Sequence, residues 1–423
     1  MEKPQKICKF FVTRKKRNCR MYVKEGEEYC GEHLKPKDIQ EIPEEDKKSR
    51  VVCPLDRTHT CYAHKLNKHL KICNARQSKV EPYIEKGINS GKFEDSVEDS
   101  FKFLSTYSVS DILETIKKVN KVYEDHVNNQ ITDKILSEKN VEDEMTKPEY
   151  GDKTKKHLKQ ASSILGLLFN YDLVKPNTCY IEFGAGRGQL TYWISKSTEN
   201  LEGTCLLLVE RASPKHKRDN KLAKTTEVVQ RIRADISDLV LDKLEVINKT
   251  TNVVGVTKHL CGEATDLAIR CLTNVKENQN KVQGAIMTFC CHHRCRWTSY
   301  VGKDFFMKNE LTKEDFEIVC GLTSWATCGS GISREKRNMT KKEKDNEIKD
   351  TEVKEEIKIT RDVELGLNRE EKECVGRKSK NVLNWGRLEH MQEKGYNCYL
   401  HHYIDKSISL ENVCIVACKN NKL

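Results

Sequence analysis

One junction restricts what this chain can fold into more than any other feature of it. In "CYIEFGAGRGQL", Cys179 to Leu190, an apolar run meets an acidic residue, then three glycines at alternate positions, then a helical pattern. The junction opens a longer alternation. Candidate strands lie at 178–183, 204–210, 228–233, 252–258 and 283–290, with helical stretches around 188–197, 212–222, 237–248 and 263–275. Strands alternating with helices at this spacing predict a parallel sheet covered on both faces. Two later apolar runs, "YNCYLHHYI" (396–404) and "NVCIVACK" (412–419), are separated by a short turn and predict a closing antiparallel pair.

Without side chains, Gly184, Gly186 and Gly188 let the backbone turn tightly and bring amide groups at the next helix N-terminus up to a ligand. The spacing G-x-G-x-G lacks the GK[ST] ending of a P-loop and departs from the dinucleotide pattern. Glu182 precedes the loop. Glu210 ends the second strand, in "LLLVE", placed to accept hydrogen bonds from both hydroxyls of a ribose. Asp235 ends the third, in "RIRADI", where a carboxylate can meet an adenine amino group. The series E-F-G-A-G-R-G, V-E, A-D resembles the class I S-adenosylmethionine-dependent methyltransferases. That resemblance implies an α/β fold: a Rossmann-like, mostly parallel seven-stranded sheet with a C-terminal antiparallel strand. A nicotinamide-binding Rossmann domain is the competing reading, and the antiparallel pair favours the methyltransferase.

The N-terminal eighty residues carry a different signal. Cys8, Cys19, Cys30 and His33 are spaced C-x10-C-x10-C-x2-H, and Cys53, His59, His69 and Cys73 are spaced C-x5-H-x9-H-x3-C. Each set offers the four soft or borderline ligands of a tetrahedral zinc site. The flanking residues, such as "KFFVTRKKRNCRMYVKEGEEYC", are too polar to bury a core, and modules this small need a staple. Cys61 and His64 are read as packing or surface residues, since the outer four complete the second site. The sequence therefore predicts two structural zinc sites. No apolar secretory segment opens the chain and no window approaches the length of a membrane span, which predicts an intracellular protein, nuclear or cytoplasmic, with no membrane partner. In a reducing compartment, 19 cysteines read as metal ligands and buried thiols rather than a disulfide framework. A net charge of +11, with "RKKR" at 14–17 and Lys65, Lys68 and Lys71 around the ligand sets, suits a polyanionic partner.

The second spacing resembles the CHHC fingers of spliceosomal and tRNA-modifying proteins, and the first a CCCH finger that precedes it in a tRNA methyltransferase family. Two further segments, "TKHLCGEATDLAI" (257–269) and "FCCHHRCRW" (289–297), close the fourth and fifth strands, at the carboxyl ends where open α/β sheets bind ligands. With the fingers they resemble the eukaryotic tRNA 2′-O-methyltransferase family that modifies nucleotide 4 of the acceptor stem. The resemblance covers nearly the whole chain. It implies a CCCH finger at 1–36, a CHHC finger at 50–76, a helical linker region at 77–150 and a methyltransferase domain at 151–423. Within that domain the charge-dense 331–380 reads as a flexible insertion. The implied partner is the tRNA acceptor stem, and the implied cofactors are S-adenosylmethionine and two zinc ions.

A ribose 2′-hydroxyl must lose its proton as it is methylated. Lys258, after the fourth strand, is the first candidate to assist, with His259, His292 and His293 as alternatives. Arg294, Arg296 and Trp297 are candidates for gripping the RNA backbone or stacking a base. Cys290, Cys291, His292, His293 and Cys295 look like metal ligands, but neighbours on a strand point to opposite faces. They are read as an active-site rim. Two other classes stay open: a base or protein methyltransferase using the same donor, and a non-catalytic zinc-finger RNA-binding adaptor. The absence of an N-P-P-Y-type segment after the fourth strand argues against the first, and the intact glycine loop against the second.

Overall fold

The computed structural model describes residues 6–12, 17–23, 26–30, 33, 50–73, 81–91, 102–212, 214, 218, 228–328 and 364–419. The chain divides into two compact units, Met1–Glu81 and Pro82–Leu423.

The first unit is built from minimal hairpins. Strands β1 (Phe11–Val12) and β2 (Arg17–Asn18) pair antiparallel, as do β3 (Arg50–Cys53) and β4 (Asp56–Tyr62). Helix α1 (Leu66–Ile72) follows. Among the described residues, the core of the first finger is three thiols, Cys8, Cys19 and Cys30, with Val12 and Val23 packed against them. An apolar core this small cannot offset chain entropy alone, so the cysteine and histidine ligands must supply the fold's cohesion.

In the second unit, α2 (Val109–Val122) begins at a capping box between Ser108 and Asp111 and buries Ile112, Ile116, Val119 and Val122, the stripe its sequence spacing predicts. Strand β5 (Ile131–Asp133) and helix α3 (Asp152–Asn170) lead into the sheet. Then come β6 (Thr178–Phe183), α4 (Gln189–Ser197), β7 (Cys205–Val209), β8 (Val228–Ile232), β9 (Asn252–Cys261), α5 (Glu263–Thr273) and β10 (Val282–Cys290). Helices α6 (Lys313–Leu322) and α7 (Arg369–Glu393) precede β11 (Asn397–His402) and β12 (Val413–Cys418).

The sheet order is β5-β11-β12-β10-β9-β6-β7-β8, and β12 alone runs against the others. Every residue of β6 and β7 is buried, as strands covered on both faces require. Alternation divides the core in two. Ile181, Leu207 and Met287 face one side with Leu272 of α5, while Tyr180, Leu206 and Ile286 face the other with Ile164 of α3 and Ile194 of α4. The reversed β12 between β10 and β11 separates this sheet from the all-parallel dinucleotide-binding order and matches the expected antiparallel pair. Strand order changes direction between β6 and β9, which puts the ligand crevice at their carboxyl ends.

Four features depart from the sequence reading. The sheet has eight strands rather than seven, because β5, inside a stretch read as linker, pairs with the edge of β11. An edge position needs so short a strand that alternation over 131–133 cannot announce it. Residues 139–145, also read as link, form a helix. The helix expected at 237–248 is two tight turns followed by a short helix, Glu245–Lys249. In the charge-dense 331–380, residues 369–380 form the first half of α7, started by a capping box between Asn368 and Glu371, while 329–363 lie outside the described residues. Of the helix expected at 212–222, only Ala212, Pro214 and Arg218 are described.

Helix α7 carries the largest fully buried side chain, Arg387. Its Nε and Nη2 donate to the two carboxylate oxygens of Asp266 on α5, at 3.0 and 2.8 Å, and Nη1 donates to Asn384 at 3.1 Å. The rings of Phe289 and Tyr300 lie 5.5 and 5.8 Å from the guanidinium. Breaking a buried pair by removing one partner strands the other charge in low dielectric. Arg387→Met should therefore cost about 3–5 kcal/mol of stability. Denaturant unfolding of the full chain checks this, and a change within the error of extrapolation would show that the pair does not hold the unit together.

Candidate active site

The three loop glycines all adopt positive φ, +67° at Gly184, +49° at Gly186 and +73° at Gly188, a region open to glycine and costly to other residues. At Gly184 an added Cβ would strike Leu260, whereas at Gly186 it would meet no atom of the described residues within 4 Å. The loop thus approaches the end of β9 at one glycine and leaves room beside the next. Glu210 holds its shape: Oε2 accepts from the Gly186 amide at 2.9 Å and Oε1 from the Ala212 amide at 2.8 Å. A carboxylate has about four lone-pair positions, so two remain for a ligand. Arg231 donates to the Gly186 carbonyl at 2.9 Å. Asp235, three residues beyond β8, caps the next turn through Ser237 at 3.1 Å and pairs with the exposed Arg211 at 3.2 Å.

Glu182 is tied to the helix that follows the loop. It is buried, and one carboxylate oxygen accepts from both the backbone N–H (2.9 Å) and the hydroxyl of Thr191, fixing the first turn of α4. Burial raises its pKa to about 7, against the opposing pull of the Thr191 bonds and of Lys258.

Lys258 lies on β9 where the strand bulges. Pairing with β10 runs from Met287↔Thr257 to Phe289↔Leu260, so Lys258 and His259 oppose the single residue Thr288. The Thr288 hydroxyl fills the gap, donating to the carbonyls of Thr257 (3.3 Å) and Lys258, while its amide donates to the Thr257 hydroxyl at 3.1 Å. Nζ of Lys258 reaches the His157 carbonyl on α3 at 2.9 Å. Burial lowers the Lys258 pKa to about 8, with Glu182 pulling the other way. His259 keeps an exposed face, but its ring stands 6.1 Å from that of His157. Desolvation by its neighbours, then the charges of Lys258 and His157, lower its pKa to about 4.

The segment after β10 splits the other candidates. His292 is buried and its Nε2 pairs with Asn384 of α7 at 2.9 Å. Burial, first of all, holds its pKa well below the usual imidazole range. It therefore positions the loop, while His293 is only half-buried. Trp297 packs edge-on against Phe316 of α6, ring centroids 5.2 Å apart, with Lys303 over its face, and Arg294 is exposed. Sequence reading missed Asn384 and Arg387, which no local motif marks, and the role of Asp266, which lies inside the segment 257–269 but was not singled out. It also missed the bulge, although a threonine opposite a lysine–histidine pair is a faint sign of one. A separate cleft of about 490 Å³, lined by Tyr123, Arg377, Lys378 and His402 among others, contains none of these residues.

In the first unit, the ligand atoms of Cys8, Cys19, Cys30 and His33 all lie within 4.8 Å of one another, as do those of Cys53, His59, His69 and Cys73. In the first set, His33 Nδ1 is 3.5 Å from Cys8 Sγ and 3.3 Å from Cys30 Sγ. In the second, the two sulfurs are 3.6 Å apart and the two Nε2 atoms 3.1 Å. Asp56 takes the Nδ1 side of His59 at 3.3 Å, leaving Nε2 for a metal. Cys61 is buried outside the set and His64 is exposed, as the sequence reading has them.

Comparison with known proteins agrees with this geometry. The family described as Methyltransferase TRM13 matches residues 159–418, the CCCH zinc finger in TRM13 protein matches 6–34, and the U11-48K-like CHHC zinc finger matches 50–74. A human protein named tRNA:m(4)X modification enzyme TRM13 homolog is 36% identical across 98% of this chain and 95% of its own length. Its mouse counterpart is 35% identical over 97% and 94%. The tRNA:m(4)X modification enzyme TRM13 of Vanderwaltozyma polyspora is 29% identical over 97% of each. With the methyltransferase model matched over 159–418 and a relative 36% identical over nearly the full length, the chain belongs to the TRM13 methyltransferase family.

Proposed function

We propose that this protein transfers a methyl group from S-adenosylmethionine to the ribose 2′-hydroxyl of nucleotide 4 in the acceptor stem of tRNA. The observation that carries the reading is the glycine loop clamped by Glu210, with open space at Gly186 and Lys258 on a bulge of the neighbouring strand. The names of the relatives, tRNA modification enzymes, supply the substrate class. No helix among the described residues is long and apolar enough to cross a membrane. Work on tRNA implies the nucleus or the cytoplasm as the place of action.

The loop, Glu210 and Asp235 suit the donor, for which they offer backbone amides and carboxylates at strand ends. When bound, the donor supplies an electrophilic methyl on a sulfonium. The rest falls to the chain. Lys258, held down toward neutrality by burial, accepts the hydroxyl proton on Nζ as the oxygen attacks. His259 and His293 are the alternatives nearer solvent. A duplex stem presents its 2′-hydroxyls along the wide minor groove, so the target need not be flipped out. The basic fingers, each closed on one zinc ion, set position through shape and phosphate contacts.

Four measurements test these parts separately. Gly186→Val would place a branched side chain at φ +49° in the open space, and Glu210→Ala would free both loop amides. Calorimetry should show the first variant without donor binding and the second weaker by about 1–3 kcal/mol. Parental affinity in both would disprove the pocket assignment, and a parent that binds no donor would favour the adaptor reading.

His69→Ala should lower the zinc content by one ion per chain and unfold its finger, with donor affinity unchanged. Elemental analysis reads the loss, and an unchanged zinc content rules that site out.

A protonated Lys258 cannot accept a proton. Single-turnover methylation should rise with pH through about 8 and then level off. Lys258→Met should lose roughly 100-fold in rate, the scale of a lost general base, and lose that pH dependence with it. Nuclease digestion and mass spectrometry of the product should locate the methyl on ribose 4. A methyl found on a base would overturn the ribose reading whatever the lysine does.

A further inference from the structure

The rim of the sheet holds a third cluster of ligand atoms that the proposed reaction does not use. The sulfurs of Cys261, Cys290 and Cys291 all lie within 4.8 Å of one another, with Cys261 to Cys290 at 3.7 Å and Cys290 to Cys291 at 3.2 Å. The Cys261–Cys290 separation lies between the sulfur–sulfur separations of the two finger sets of the same chain, 3.9 and 3.6 Å, while the Cys290–Cys291 pair is closer than either and has to open to share an ion. Tetrahedral zinc with bonds of about 2.3 Å to sulfur puts its thiolates about 3.8 Å apart.

Three backbone devices bring the sulfurs together. The bulge at Lys258–His259 shifts the parity of β9, so Cys261 pairs with Cys290 in register. Along a continuing strand, Cys291 would point away from Cys290. Instead it adopts φ +51°, a left-handed conformation uncommon and costly for a residue with a side chain, and turns its sulfur back beside its neighbour's. Gly262, at φ +50°, lets its chain pass so close to Arg294 that a Cβ would sit 2.6 Å from that side chain, and its amide donates to the Cys290 carbonyl at 2.9 Å. The strain at Cys291 is stored where it converges three thiols.

We propose that Cys261, Cys290 and Cys291 form a third zinc site, with three thiolates from the rim of the active site and a fourth position left to water or an incoming ligand. Among the described residues no fourth ligand atom joins the group at this spacing. Three protein ligands with one open position is the arrangement of reactive rather than closed structural zinc sites. Each thiol that binds releases its proton to solvent, so loading consumes one Zn²⁺ and yields up to three protons. The adjacent-residue objection to convergence does hold for the histidines, since His292 is turned inward to Asn384.

Elemental analysis of full-length protein, purified without chelator, tests this through differences. Cys261→Ser and Cys290→Ser should each lower the zinc content by one ion per chain relative to the parent. Cys374→Ser, an exposed cysteine outside the cluster, should leave it unchanged. The readout is the change at the rim, so it does not depend on occupancy of the fingers. Because a misfolded variant also loses metal, the parent itself is alkylated under native conditions. Cys261, although exposed, should react only after zinc is chelated. Unchanged zinc in both rim variants, a loss in Cys374→Ser, prompt alkylation of Cys261 in the untreated parent, or a Cys261–Cys290 disulfide in its intact mass would each overturn the site.

Discussion

The ion pair between Arg387 and Asp266 is the constraint on which the active end of this fold depends. Its side chains are 1% and 0% exposed, so neither charge has water to fall back on. A lone buried charge is far more costly than a lost contact, and this makes the geometry around the pair close to all-or-none. Three elements meet there. Asp266 rises from the helix after β9, Arg387 comes from the long helix that precedes the reversed strand pair, and the Cys295 sulfur touches Arg387 at 3.0 Å from the loop after β10. Asn384, one turn before Arg387, then takes His292. The loop at the mouth is thus placed by a network lying beneath it.

That arrangement explains why two adjacent histidines have different fates. His292 is used as a buried connector, and His293 is left half-buried. It also accounts for Gly302 and Gly386. A Cβ on Gly302 would come within 2.6 Å of the Gly386 backbone, so only glycine lets α7 approach the loop closely enough for Arg387 to reach Asp266. The apolar neighbours follow. Tyr300 donates to the Leu383 carbonyl at 2.9 Å and meets Phe306 edge-on and Phe316 at a tilt, so the packing and the ion pair reinforce one geometry.

What the sequence showed clearly was whatever repeats or stands at fixed spacing. The glycine loop, Glu210, the alternating strands and the eight finger ligands are each a local pattern with one physical meaning. The missing parts are long-range. Arg387 and Asp266 are 121 positions apart, and nothing near either marks it as a partner. Helix α7 was hidden because residues 369–380 continue a charge-dense composition, and the buried face of a helix carrying Lys372, Lys380 and Arg387 lacks a clean apolar stripe. Strand parity misled at the rim of the sheet. The rule that neighbours face opposite ways holds only while the strand continues, and here a bulge and a left-handed residue interrupt it at Lys258–His259 and at Cys291.

Glu182 links the two halves of the candidate site. It sits on β6 opposite Val256 of β9, two positions before Lys258. Burial drives both groups toward neutrality, raising the carboxyl to about 7 and lowering the amine to about 8. Each charge opposes that drift in the other: an ionised Glu182 favours the ammonium, and an ammonium at Lys258 favours the carboxylate. The same carboxylate fixes Thr191 at the start of α4, immediately after the glycine loop. The loop proposed to hold the donor and the amine proposed as the base therefore lean on one buried acid. A change at Glu182 disturbs loop geometry and base strength together, so loss of activity there cannot be assigned to donor contact alone. Donor affinity and the pH profile of the chemical step have to be read side by side for that residue, whereas Glu210, which among the described residues bonds the amides of Gly186 and Ala212, reports on the loop without touching the lysine.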